Sequence, residues 1–216
     1  MSRSTVRGSR RRSITVREIL PDIGFALFLA LAVLALTGRR DGRQRNGATR
    51  LALVLALVLA VLGSDLLLPD RYPAGWLLLS ITPVFSFTGV LLLAALIDLR
   101  FFGGTIFRHR DATGLAAMAV AVCVPLYASS LGLVSFDVYA LGYRGGPVLP
   151  VFLVAAAVLS ATGRYALSLA ILLAAATREL GLVPSDNYFD HLTDGLTFLL
   201  AAAFLILSAA KKKPSV

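Results

Sequence analysis

The segment Ser185-Asp186-Asn187-Tyr188-Phe189-Asp190-His191-Leu192-Thr193-Asp194 gathers the residue types of this chain that could do chemistry. Continued as a helix, it places Asp190 and Asp194 on one face at i,i+4, with His191 beside Asp194 at i,i+3. One imidazole and two carboxylates can hold a divalent ion or run acid–base chemistry, which makes these three the candidate catalytic residues. Carboxylates in a first helical turn are also favoured by the helix dipole, with no catalytic role at all. The sequence favours that structural role, and it assigns no metal and no cofactor.

A second group of candidates concerns an ion or substrate pathway. Arg178 and Glu179 interrupt an apolar run about one turn from its end. Charges inside a membrane span are costly and often functional, although a long side chain can snorkel to the nearby interface. Being adjacent in sequence, the two point different ways, so each calls for its own partner. Arg178 pairing with Asp190 or Asp194 would clamp the last two helices together. Asp65 follows Gly63 and Ser64 near the end of another apolar run, either as a proton or cation site or as an interfacial residue. Pro83 and Pro125 lie within further runs, where proline frees a backbone carbonyl that can line a transport site or a packed kink. Cys123, the one cysteine, is expected to be a small buried hydrophobe.

The elements that must position these residues are long apolar runs. Of the 216 residues, 57% are hydrophobic and 15% charged, with a mean hydropathy of +0.81. A soluble domain carries roughly 25% charged residues, so the balance is wrong for water. The runs cover about 19–37, 51–68, 76–98, 115–136, 147–161, 165–183 and 192–210, and a membrane span needs about 20 mostly apolar residues. The expected fold is all-α: a polytopic transmembrane helical bundle over 19–210 with short loops. It has seven spans, or six if the first run lies in the interface. Residues 1–18 and 211–216 form basic tails. Gly163 between the fifth and sixth runs predicts a tight helical hairpin. Alanine-rich faces at Ala155–Ala157, Ala174–Ala176 and Ala201–Ala203 predict close helix approach.

Charge placement sets the orientation. The connections alternate between basic and poor in basic residues, ending in Lys211, Lys212 and Lys213, which places the C-terminus in the cytoplasm. Arg39, Arg40, Arg43, Arg45, Arg108 and Arg110, with the three lysines, are expected at anionic lipid headgroups. Phe101, Phe102 and Phe107 among arginines suggest a segment lying on the membrane surface. The net charge of +9 therefore points to lipid, and no nucleic-acid reader module is present. There is no phosphate loop, nucleophile elbow or His-Glu-x-x-His zinc helix. The leading expectation is a non-catalytic subunit or assembly factor of a larger complex in a cell membrane, bacterial inner membrane by its compactness. Its partners would be the lipid bilayer and a membrane-protein partner or a second copy. The alternatives are a small transporter or channel, and a membrane enzyme with an outward site for a lipid-linked substrate.

Overall fold

The structure, a computed structural model, describes residues 23–31, 33, 51–57, 59–61, 86–143, 147–181 and 185–210. Within them the chain is all-helical, without a strand. Residues 23–31 and 33 (α1) and Leu51–Val61 (α2) are helical. They precede α3 (Phe87–Ile97), α4 (His109–Ser130), α5 (Val148–Ala161), α6 (Tyr165–Glu179), the short α7 (Tyr188–Leu192) and α8 (Gly195–Ala210). Asp65, Pro83, Arg39, Arg40, Arg43, Arg45, Lys211, Lys212 and Lys213 lie outside the described residues.

The helix bounds depart from the apolar runs for local reasons. α4 begins at His109, six residues before its run, because the Arg108 N–H donates to the Asp111 carboxylate (2.8 Å) and nucleates a polar first turn. It ends at Ser130, and Leu131–Phe136 leaves the helix because Gly132 takes φ +70°. α6 stops at Glu179, before the run reaches Val183, with Gly181 at φ +61°. The hairpin between α5 and α6 turns at Gly163, φ +72°, as its sequence indicates. Hydropathy marks which residues are apolar; glycines and polar caps decide where a helix stops.

α4 packs along α8, α5 along α6, and α3 sits against α4 and α6. The central seam is built from small side chains. Ala95, Ala112, Ala116, Ala119, Ala170 and Ala201 are buried together with Leu92 and Leu115, which lets the backbones approach closely. A second cluster joins Val148, Phe152 and Ala156 of α5 to Ile171, Ala174 and Ala175 of α6, with Tyr188 and Leu192 of α7 closing one end. Of the alanine triplets, Ala156, Ala174, Ala175 and Ala201 are buried.

The bundle has two chemically different ends. At the arginine end, a π-helical turn, Asp98–Phe102, follows α3. Asp98 there accepts hydrogen bonds from Thr105 N–H (3.1 Å), Thr105 Oγ1 (2.8 Å), Ile106 N–H (2.8 Å) and Phe107 N–H (2.7 Å). Phe101 is buried against Ala30 and Ile97 instead of facing outward among the arginines. The opposite, carboxylate end gathers the start of α3, the end of α4, the end of α6, all of α7 and the start of α8. Asp98→Ala would leave three backbone N–H groups of the 105–107 segment without their acceptor. Hydrogen–deuterium exchange at those amides is expected to rise at least roughly tenfold, with helix α4 unchanged; unaltered exchange would contradict the pinned loop.

Candidate functional site

The sequence-based alignment of Asp190, His191 and Asp194 on one helical face does not hold. α7 ends at Leu192, and Thr193 is extended (φ −148°, ψ 159°), so Asp194 belongs to the next helix. Asp194 starts α8: its Oδ1 accepts from Thr197 N–H at 2.9 Å, the N-cap arrangement. Its Oδ2 accepts from the Ser86 N–H (3.0 Å), Ser86 Oγ (2.6 Å) and Thr197 Oγ1 (2.6 Å). Ser86 is itself the N-cap of α3, accepting from Gly89 N–H at 3.2 Å. Two helix N-termini therefore converge on one carboxylate, and both dipoles favour its negative charge.

Asp190 takes a different set of partners. Tyr139, in a 3-10 turn (Tyr139–Gly142), donates its hydroxyl to the carboxylate at 2.8–2.9 Å, and Ser185 Oγ donates at 2.5 Å. Burial first, then the bond to Asp190, pushes the Tyr139 phenol above its ordinary range, so it remains protonated and able to donate. Asn187 completes the joint. Its Nδ2 donates to the Tyr139 carbonyl (2.9 Å), while its Oδ1 accepts from Phe189 N–H (2.9 Å).

His191 is 1% exposed and engaged at both ring nitrogens. Nε2 donates to the Ser185 carbonyl (2.9 Å), and in the neutral ring Nδ1 faces Thr177 Oγ1 at 3.1 Å, whose single proton is shared with the Leu173 carbonyl at 2.7 Å. Burial is the largest influence and holds its pKa below the ordinary 6.5, with the Arg178 charge adding to it; the Ser185 bond and the charges of Asp190 and Asp186 oppose. In the pH window below 6.5 the unfolded chain therefore binds a proton before the folded one does. The stabilisation from neutral His191 is complete above the unfolded value and is lost as pH falls through the folded value. His191→Gln is expected to flatten the fall in thermal stability between neutral pH and about pH 5. A slope equal to that of the unmodified protein would contradict this.

Arg178 is buried at 7% exposure and does not snorkel. Contrary to the sequence-based pairing, it reaches neither Asp190 nor Asp194. Its Nε donates to the Asp186 carbonyl (3.1 Å), its Nη1 pairs with the adjacent Glu179 (3.3 Å), and its guanidinium lies 4.9 Å from the Tyr188 ring centroid. Glu179, expected to need a partner apart from Arg178, accepts from both Arg178 and the Tyr188 hydroxyl. Thr177 and Arg178, in the last turns of α6, thus hold the connection that leads into α8. The clamp exists, but Arg178 closes it on the Asp186 carbonyl.

Pro125 lies inside α4 with its ring on the exposed side of the helix, away from the seam. Cys123 is buried, and its Sγ sits 3.3 Å from Thr193 Oγ1. Arg108 and Arg110 are exposed at the arginine end, with Arg110 Nε 3.9 Å from Asp111. A cavity of about 180 Å³ opens at the carboxylate end between α4, the 3-10 turn and the α7–α8 junction. Tyr127, Tyr139, Phe189, Asp190, Thr193 and Asp194 are among its walls; His191 and Arg178 are not. Sequence reasoning missed Thr197 and Gly142, and it gave Ser86 and Asn187 no part in this site. The Asp194-x-x-Thr197 spacing is a readable N-cap signal for part of this. No family model, curated protein or solved structure matches the chain.

Proposed function

We propose that the chain is a multi-pass integral membrane protein acting as a non-catalytic subunit or assembly factor of a larger membrane complex. The observation that carries this reading is the use made of its polar residues. Asp194 joins two helix N-termini, His191 is held at both nitrogens, and Arg178 closes on a backbone carbonyl. These groups position a connection between helices, and none forms a nucleophile–base pair aimed at a substrate.

Membrane placement rests on an inverted distribution of polarity. Val151, Val154 and Val158 of α5, Leu169 and Leu172 of α6, and Leu199, Ile206 and Leu207 of α8 are exposed. Arg178, Asn187, His191 and Thr197 are buried. In water that apolar surface would cost about 25 cal/mol per Å² relative to burial, whereas lipid accepts it. Among the described residues, His109–Ser130 is the one helix long and apolar enough to cross a membrane; Leu51–Val61, Val148–Ala161 and Gly195–Ala210 are shorter apolar helices. In this reading those helices also span, the arginine end and C-terminus face the cytoplasm, and the carboxylate end faces out. Arg108 and Arg110 meet anionic headgroups, and the host membrane is a bacterial inner membrane.

A tag placed after Val216, mild-detergent extraction and mass spectrometry of the co-purified material test the subunit role. A stoichiometric membrane-protein partner is the expected result. A monodisperse preparation containing this chain alone would overturn it.

A further inference from the structure

We propose that the cavity at the carboxylate end binds a small alkylammonium group, presented either by a free amine or by the headgroup of a zwitterionic lipid. Both ionisable carboxylates in the cavity wall, Asp190 and Asp194, receive hydrogen bonds from neutral donors alone: hydroxyls of Tyr139, Ser185, Ser86 and Thr197, and the N–H groups of Ser86 and Thr197. Among the described residues that line the cavity there is no lysine, arginine or histidine. Apart from the two helix N-termini that meet at Asp194, the described wall therefore carries two carboxylates and no formal positive charge, which favours a cation there.

The rest of the wall decides which cation fits. Tyr127, Tyr139 and Phe189 contribute aromatic rings. Tyr127 is braced edge-on by Phe198 at 5.4 Å between centroids, and Tyr139 by Tyr143 at 5.5 Å. Aromatic faces beside carboxylates recognise ammonium groups through the ring quadrupole together with the charge. A hard metal ion, by contrast, needs six or more oxygens, and most of this wall offers carbon. A volume of about 180 Å³ suits a headgroup-sized cation rather than a bare ion or a large solute. Each carboxylate also keeps acceptor capacity. Asp194 Oδ1 takes one donor, and Asp190 Oδ1 is reached by the Tyr139 hydroxyl alone.

The test titrates the full-length protein in detergent with choline and with ethanolamine. Its neutral arm is 3,3-dimethylbutan-1-ol, which has the shape of choline without the charge. A parallel arm compares nanodiscs containing phosphatidylethanolamine or phosphatidylcholine with nanodiscs of phosphatidylglycerol, reading lipid retention by native mass spectrometry. Binding of a free amine identifies a soluble ligand; selective retention of zwitterionic lipid without free-amine binding identifies a headgroup. Either result supports the site if Tyr127→Leu weakens it by roughly tenfold, the loss expected for one cation–π wall. Asp190→Asn is expected to weaken it at least as much, and Tyr127→Leu guards against a folding defect in that variant because it keeps both carboxylates. Equal binding of the neutral alcohol, no binding in either arm, or binding indifferent to Tyr127→Leu would overturn the proposal.

Discussion

Asp194→Ala is expected to lower the stability of the protein in detergent by about 3–5 kcal/mol, the largest effect of any single side chain at the carboxylate end. The carboxylate accepts four hydrogen bonds, two from Ser86 and two from Thr197. Ser86 and Thr197 are 0% and 1% exposed, so water cannot replace the lost acceptor without a local opening. Their hydroxyls lie 3.1 Å apart and can pair with each other, which returns part of the loss. The two backbone N–H groups have no such substitute. Asp194→Asn separates charge from shape: it keeps an oxygen at the N-cap but points an amide at donors and removes the charge both dipoles favour. It is expected to fall between the unmodified protein and the alanine variant. Thermal unfolding reads the order, with a drop of roughly 10 °C for alanine. An alanine variant within a degree or two of the parent would refute the shared-cap account.

Gly142→Ala comes second, at about 2–4 kcal/mol, for a purely steric reason. A Cβ at this position would lie 1.9 Å from Asn187 Oδ1, 2.7 Å from Asn187 Cγ and 2.7 Å from Phe189 Cδ2. Asn187 cannot swing aside cheaply, being fully buried and bonded to both the Tyr139 carbonyl and the Phe189 N–H. Relief of the clash must pull the 3-10 turn off α7, and the Tyr139–Asp190 bonds go with it. Gly163→Ala is the instructive control. There the φ of +72° strains a side chain while nothing lies within 4 Å, so the cost is expected near about 1 kcal/mol. Gly142 has no positive φ, so a loss no larger than that of Gly163→Ala would show that the contact with Asn187 is relieved cheaply and would contradict the steric account.

The helices and several of their packing faces were legible because apolar runs and alanine spacing are local properties. The hairpin at Gly163 and the buried faces at Ala156 and Ala174 follow from neighbours a few residues away. The site was legible only as a set of residue types. Asp194 meets Ser86 across 108 positions, a distance that no periodicity encodes. One local decision misled the reading: extending a helix through Thr193 put Asp190, His191 and Asp194 on one face. The extended backbone at Thr193 separates them, sending Asp194 to the α3–α8 joint and His191 into the α6 clamp. Arg178 misled in a related way. Opposite charge suggested a carboxylate on the next helix, yet a guanidinium with five donors can close on a carbonyl, an adjacent glutamate and a ring face together.

The proposed membrane function carries one orientation of the bundle, with the carboxylate end outside and the arginine end in the cytoplasm. Single-cysteine labelling on intact cells tests it most directly, in a background where Cys123, the one native cysteine, is replaced by alanine. Ser135→Cys lies in the exposed turn beyond α4, and Thr162→Cys lies in the exposed hairpin between α5 and α6. A membrane-impermeant maleimide should label position 135 on intact cells and position 162 only after the cells are permeabilised. Labelling of position 162 alone would invert the orientation. Protection of both sites until lysis, with the chain in the soluble fraction, would contradict the membrane account.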